Sequence, residues 1–185
     1  FEGPQSRFHC LSEVSSMSKA NCNYLIFPDD INYNLNKINK PGFNIFCLSQ
    51  KISKKIFNPK AIFKEKNGDY FQYNKGNKIT IITMGFSAYE VFHLINKKNK
   101  FKNSDLFVVT NPSFSNFKKI LDSVKKTKNI YLFDDSRSQN RSLNDLEISI
   151  RKKIKRVNIK TFYRTENIKR LYPNSDNYLK EFEID

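Results

Sequence analysis

The stretch KITIITMGFSAYEVFHLINKK, residues 78–98, decides the fold class. Its first part is a β-branched run that stops at Gly85, the pattern of a strand buried on both faces. Its second part places Ala88, Val91, Phe92 and Ile95 on one helical face. A buried strand turned straight into an amphipathic helix is the unit of a parallel α/β sheet. Downstream the alternation continues. DLFVVTNP at 105–112 reads as a strand stopped by Pro112. FSNFKKILDSVKKT follows as a helix with Phe114, Phe117, Ile120, Leu121 and Val124 on its apolar face. NIYLFDD at 129–135 is a third strand, LNDLEISIRKKI a further helix, and VNIKTFY at 157–163 a fourth strand. The expected class is α/β, a mostly parallel sheet with helices on both faces.

Upstream the signals are shorter. NYLIF at 23–27 is a strand candidate ended by Pro28, and DDINYNLNKI opens a helix with two acids at its positive end. Pro41-Gly42 breaks that helix, and FNIFCL at 43–48 is the next strand candidate. Residues 49–77 are polar, carry Pro59, Gly68 and Gly76, and read as a linker or long excursion with a short strand near Tyr70–Tyr73.

Composition limits the function classes. In 185 residues, 33 Lys plus Arg stand against 18 Asp plus Glu, for a formal charge of +15. A 38% hydrophobic and 14% aromatic content excludes full disorder. No apolar run is long enough to span a bilayer, so no membrane is expected. The cations are 26 Lys and 7 Arg, and the Lys are scattered along the whole chain among Asn, Ile and Phe. Arg is the residue that grips phosphates and bases bidentately. The charge therefore reads as compositional bias, and a nucleic-acid partner is not favoured. The best support for one is RKKIKR at 151–156, although cations at a helix end are favoured by the dipole anyway.

Cys10, Cys22 and Cys47 are odd in number and lack metal-ligand spacing. A disulfide framework is not expected, and a reducing, cytoplasmic setting fits. Neither His9 nor His93 has a Cys or His neighbour at zinc spacing, so no metal site is expected. The P-loop, the G-x-G-x-x-G turn and the G-x-S-x-G elbow are all missing. Asp134-Asp135 ends a strand, where ligands gather in α/β sheets, but also fits a pair of solvated loop acids. His9 lies four residues before Glu13, so on a helix the two would share a face, and a His beside an acid can move protons near neutral pH. A loop His without a role fits the same residues. The chain opens on Phe1 with no basic-then-apolar leader, and is expected to be the later portion of a longer protein.

The segments GPQSRFHCLSEVSSMSKANCNYLIFPDD, FNIFCLSQK, KITIITMGFSAYEVFHLI and SVKKTKNIYLFDDS occur in an order that resembles the back half of transketolase-like, thiamine-diphosphate-dependent enzymes. The nearest members are the beta subunits of 2-oxo acid dehydrogenases, with transketolases as cousins. RTENIKRLYPNSDNYLKEF is similar to the tail of those beta subunits. The resemblance implies that residues 1–55 are the C-terminal part of a pyrimidine-binding-like domain, 56–76 a linker, and 77–185 a transketolase C-terminal-like domain with a five-stranded sheet containing one antiparallel strand. It implies cleavage of a carbon–carbon bond next to a carbonyl in a small keto substrate, with transfer of the acyl or two-carbon unit, as a transferase or oxidoreductase. His9 would match the family's active-site His, with Glu13 orienting it. Ser6-Arg7-Phe8 stand between the Gly-Pro-x turn and that His, where the family has none.

Thiamine diphosphate and magnesium are implied as cofactors, held mainly by parts outside this chain. The family's Gly-Asp-Gly…Asn segment is absent, and Gly68-Asp69-Tyr70 does not match it. The implied partner is a second copy, or a heterotetramer with a subunit carrying the diphosphate-binding domain. This chain alone is expected to be inactive and mainly to serve subunit assembly. The alternatives are a non-catalytic assembly module of the same ancestry and, less favoured, a basic nucleic-acid-binding domain.

Overall fold

The computed structural model describes residues 21–36, 44–48, 59–85, 87–97, 101–113, 115–137 and 142–164. In chain order the elements are β1 (Asn21–Leu25), α1 (Pro28–Leu35), β2 (Asn44–Leu48), β3 (Phe63–Lys64), β4 (Tyr70–Asn74) and β5 (Ile79–Met84). Then follow α2 (Ser87–Lys97), β6 (Ser104–Val109), α3 (Lys118–Thr127), β7 (Asn129–Arg137), α4 (Asn144–Lys153) and β8 (Asn158–Arg164). No helix among the described residues is long and apolar enough to cross a membrane.

β1 and β2 form a two-stranded parallel sheet, in register from Asn21 opposite Asn44 to Leu25 opposite Leu48. The other six strands form one sheet in the order β3-β4-β6-β5-β7-β8. β6, β5, β7 and β8 are mutually parallel, and β4 runs antiparallel to both β6 and β3. The antiparallel strand β4 lies before the 77–185 bounds expected for the five-stranded domain; within those bounds the described strands are the four parallel ones, β5 to β8, and the two-residue β3 is added at the edge of β4.

Alternation along the strands sends successive side chains to opposite faces. On one face Ile82, Met84, Phe107 and Leu132 pack against Ile120 and Val124 of α3 and Ile150 of α4. On the other, Ile81, Leu106, Val108 and Phe133 pack against Ala88, Val91 and Ile95 of α2, with Phe27 beside α1. Because both faces are covered, ITIITM and SDLFVV are almost wholly buried and show no polar alternation.

The α3 helix begins at Lys118, later than the periodicity predicts. Asn116 Oδ1 accepts the Lys118 N–H at 3.4 Å and Asn111 Oδ1 accepts the Ser113 N–H at 3.0 Å, so side-chain turns occupy the stretch after Pro112. Phe117 is buried just ahead of the helix, and Phe114 lies outside the described residues.

Of the stretch 56–76 expected to be a linker, residues 63–64 and 70–74 are strands of the sheet. The strand expected near Tyr70–Tyr73 is β4; the polar composition concealed β3 and the burial of Glu65, Asp69 and Gln72, which have hydrogen-bond partners. Tyr70, Phe71 and Tyr73 supply the apolar area, divided between the two faces. Gly76 closes this stretch where no side chain fits. A Cβ there would lie 2.2 Å from the Asn103 carbonyl carbon and 2.3 Å from the Ser104 nitrogen, both backbone. Gly76→Ala is therefore expected to cost about 3 kcal/mol, at the high end for overpacking, because neither neighbour can rotate away. Urea unfolding would read it as a lowered midpoint; an unchanged midpoint would show that the connection can move.

Candidate functional site

The parallel strands set the geometry. β5 leads through α2 to β6 on one side, and β6 leads back through α3 to β7 on the other. The connections leaving β5 and β7 thus diverge to opposite faces, and ligands of α/β sheets sit outside the carboxyl ends of strands at such a point. Here Gly85 turns the chain with φ +69° into α2. Ser87, 2% exposed, meets Thr83 Oγ1 at 2.6 Å and donates to the Met84 carbonyl at 2.8 Å. On the other side of the crevice Asp134, fully buried, accepts the Leu143 N–H at 2.8 Å and ties the end of β7 to the start of α4. These groups hold the turn in place. Ser87 is a buried hydroxyl bonded to backbone, not an exposed nucleophile.

Asp134 is consequently not the solvated loop acid that the sequence allows. The strand continues past it to Arg137, and its carboxylate substitutes for the missing partner of a helix-terminal N–H. For Asp135 the structure describes the backbone alone, within β7.

At the opposite end of the sheet Asp105 opens β6. Its Oδ1 accepts from Gln72 Nε2 at 3.0 Å and the Gly76 N–H at 2.9 Å. Its Oδ2 accepts from Ser123 Oγ and, at 3.1 Å, from Lys126 Nζ. Thr80 Oγ1 extends the network to Ser123 Oγ and Thr127 Oγ1, each at 2.7 Å. All four acceptor sites of a carboxylate are filled, so this cluster binds β4, β6 and α3 together.

A third carboxylate stands where α1 meets β4. Asp30 is fully buried and accepts the N–H groups of Ile26 and Phe27 at 3.0 Å, with the Tyr73 hydroxyl at 3.5 Å. Burial outweighs these bonds and pushes its carboxyl up to about 8. Burial and the neighbouring Asp30 push the Tyr73 phenol upward as well. Beside it, burial pushes the Asp29 carboxyl up, but the Ala61 N–H with Lys64 and Lys60 holds it below the usual range. Asn34 donates to the Asp30 carbonyl at 3.0 Å and the Gly68 carbonyl at 3.3 Å, and Tyr33 donates to the Lys66 carbonyl at 2.7 Å. The Tyr24 N–H donates to the Thr110 carbonyl at 2.7 Å, so β1 and α1 are anchored on the larger sheet.

His9, Glu13 and Cys10 lie outside the described residues, so the structure does not bring the expected acid/base pair into view. Cys22 pairs opposite Ile45, and Cys47 opposite Tyr24. That two-residue offset puts their Cα atoms roughly 8 Å apart, beyond disulfide reach. Among the described residues no three His, Cys, Asp or Glu side chains converge as a metal ion requires. Asp69 is bound to Asn111 Nδ2 at 3.1 Å, and Glu65 to the Asn67 N–H at 2.6 Å, so the Gly68-Asp69 turn does not fit a magnesium–diphosphate cradle. Sequence reasoning missed Asp30 and Asp105. The available signals were an acid at the third residue after Phe27, the back half of a capping box, and an acid opening an otherwise apolar strand.

No family model matches the sequence, and no curated protein matches it. Among solved structures the chain is similar to a protein described as "Split gene transketolase, inactive beta4 tetramer". The TM-score is 0.60 at 9% identity, over 88% of this chain and 53% of that one. The chain thus spans about half the length of that structure. At such identity the likeness is one of fold: an α/β, transketolase-like arrangement with the six-stranded sheet of the transketolase C-terminal-domain type.

Proposed function

We propose that this chain is the C-terminal part of a thiamine-diphosphate-dependent, transketolase-like or 2-oxo acid dehydrogenase beta-like subunit, and that the portion described serves mainly to assemble the enzyme. The observation that carries this reading is the fold likeness, which runs through most of the chain. The chemistry of the described residues supports it. Their best-buried carboxylates, Asp30, Asp105 and Asp134, are engaged with backbone or neighbouring side chains. The proposed organisation is a pyrimidine-binding-like part at 1–55, a connection at 56–76 that also donates strands, and an assembly domain at 77–185.

On this reading thiamine diphosphate supplies the carbanion chemistry, and its diphosphate and magnesium are held by a partner subunit, in the cytoplasm. That partner is a second copy or a heterotetramer component; the similar structure, by its description, is itself a tetramer of beta chains from a split gene. The substrate is a small keto compound cleaved next to its carbonyl. His9, with Glu13, moves or orients a proton on it. In the complete assembly, His9→Ala is expected to lower turnover about 100-fold or more while the subunits still co-elute. Unchanged turnover would remove His9 from the mechanism. The Ser6-Arg7-Phe8 insertion favours one second reading, an assembly module that has lost catalysis. It predicts co-elution with the partner and no dependence of activity on His9.

A further inference from the structure

Along the sequence the lysines are spread evenly; the fold brings a set of them, without acidic partners among the described residues, onto one rim. The connections that precede the parallel strands lie at one end of the sheet, and each carries cations. Lys75 follows β4, Lys78 precedes β5, Lys102 precedes β6, Lys128 precedes β7, and Lys155 and Arg156 precede β8. All six are exposed, and none is in an ion pair among the described residues. The end is tightly knit. The Lys78 N–H donates to the Asn103 carbonyl at 3.0 Å, the Asn158 N–H to the Lys128 carbonyl at 2.9 Å, and Lys126 Nζ to the Gly76 carbonyl at 2.6 Å. Residues 75–78, 101–104, 125–128 and 154–157 contain no Asp or Glu. Asp105, the acid just inside this rim, is 2% exposed and already bound by Lys126.

Two observations set this rim apart from solvated lysine in general. Helix dipoles explain cations after α3 and α4, but Lys75 and Lys78 follow no helix. Lys128 and Arg156 hold left-handed backbone, φ 57° and 55°, at positions where glycine is the unstrained choice. The chain carries a cation at both.

We propose that this rim binds the phosphate backbone of duplex nucleic acid, without reading its sequence. Strands lie about 4.8 Å apart, so the row from β4 to β8 spans roughly 19 Å, a length of duplex that carries about 11 phosphates in all, of which those on the near side face the rim. Lysine presents point charges rather than the fork that reads base edges, which suits backbone contact. Protein interfaces are depleted in lysine and carry apolar anchors, which disfavours an acidic protein as occupant. The exposed large hydrophobic side chains among the described residues are Leu35, Ile62 and Ile148, none aromatic, so the described residues offer no exposed stacking platform for single strands.

The test is binding of the full chain to a labelled 20-base-pair duplex of mixed sequence, read by anisotropy from 50 to 200 mM salt. Saturable binding is expected, indifferent to a scrambled duplex and falling steeply with salt. K78Q/K102Q/K128Q should lower affinity at least tenfold at 50 mM salt and flatten the log–log salt slope by about 2.7, three contacts at about 0.9 each. K66Q/K118Q/K119Q, from the opposite end of the sheet, should change neither. Thermal unfolding of both variants would show that they remain folded. Absence of binding at 50 mM salt, equal losses in the two variants, or displacement of the duplex by polyglutamate at equal charge would each overturn the proposal; the last would assign the rim to an acidic protein.

Discussion

Asp105→Ala is expected to destabilise the protein by about 3 kcal/mol, read as a lowered urea midpoint at unchanged m-value. The carboxylate is 2% exposed and joins three elements through Gln72, Gly76, Ser123 and Lys126. Lys126, with its side chain 45% exposed, can turn to water when the acid is removed, so the ion pair itself contributes little. The cost comes from the groups that cannot leave. The Gln72 amide loses an acceptor inside the sheet, and the Ser123 hydroxyl keeps Thr80 alone. Asp105→Asn retains an acceptor for Gln72 and Gly76 and should cost about 1 kcal/mol. Equal midpoints for the alanine variant and the parent would show that water enters the cluster and replaces the carboxylate.

The second large effect is in pH. Asp30 has a carboxyl raised by burial from 3.8 to about 8. A raised carboxyl means that the folded state holds a proton which the unfolded chain has released. Its contribution is therefore complete below about pH 4 and is lost as pH rises towards 8, with a slope of up to about 1.4 kcal/mol per pH unit. Above that window the charged carboxylate still accepts the Ile26 and Phe27 N–H groups, but at the cost of an ion in the junction of α1 and β4. Asp30→Asn keeps the shape and removes the titration. The difference in unfolding free energy between parent and Asp30→Asn should thus move in favour of the variant from pH 5 to pH 8. A difference that stays constant across that range would mean the carboxylate is solvated.

The two effects mark the boundary of what could be read from the residues. Asp30 and Asp105 look in the sequence like ordinary helix-start and strand-start acids. Their weight comes from partners far along the chain: Tyr73 is 43 residues from Asp30, and Gln72 is 33 from Asp105. No window of local periodicity contains those pairs. The strand near Tyr70–Tyr73 was legible, but its place between β6 and β3, and the burial of Gln72 within it, come from those long-range pairings. The expected pair His9 and Glu13 lies outside the described residues, so its role rests on the resemblance and on the His9→Ala experiment.

What the sequence by itself determined is the alternation from Lys78 to Tyr163. Strands buried on both faces must be continuous apolar runs, and helices covering them must carry a stripe every three to four residues. Both patterns are local, and ITIITM, SDLFVV and the faces of α2 and α3 display them directly. What only the tertiary structure decided is which distant residues share a place. Strand order and register put Asp134 beside Leu143 and close Asp105 with four donors. They also gather cations from four separate connections onto one rim. Along the chain those lysines are a composition; across a sheet whose strands lie about 4.8 Å apart, they are a charged surface.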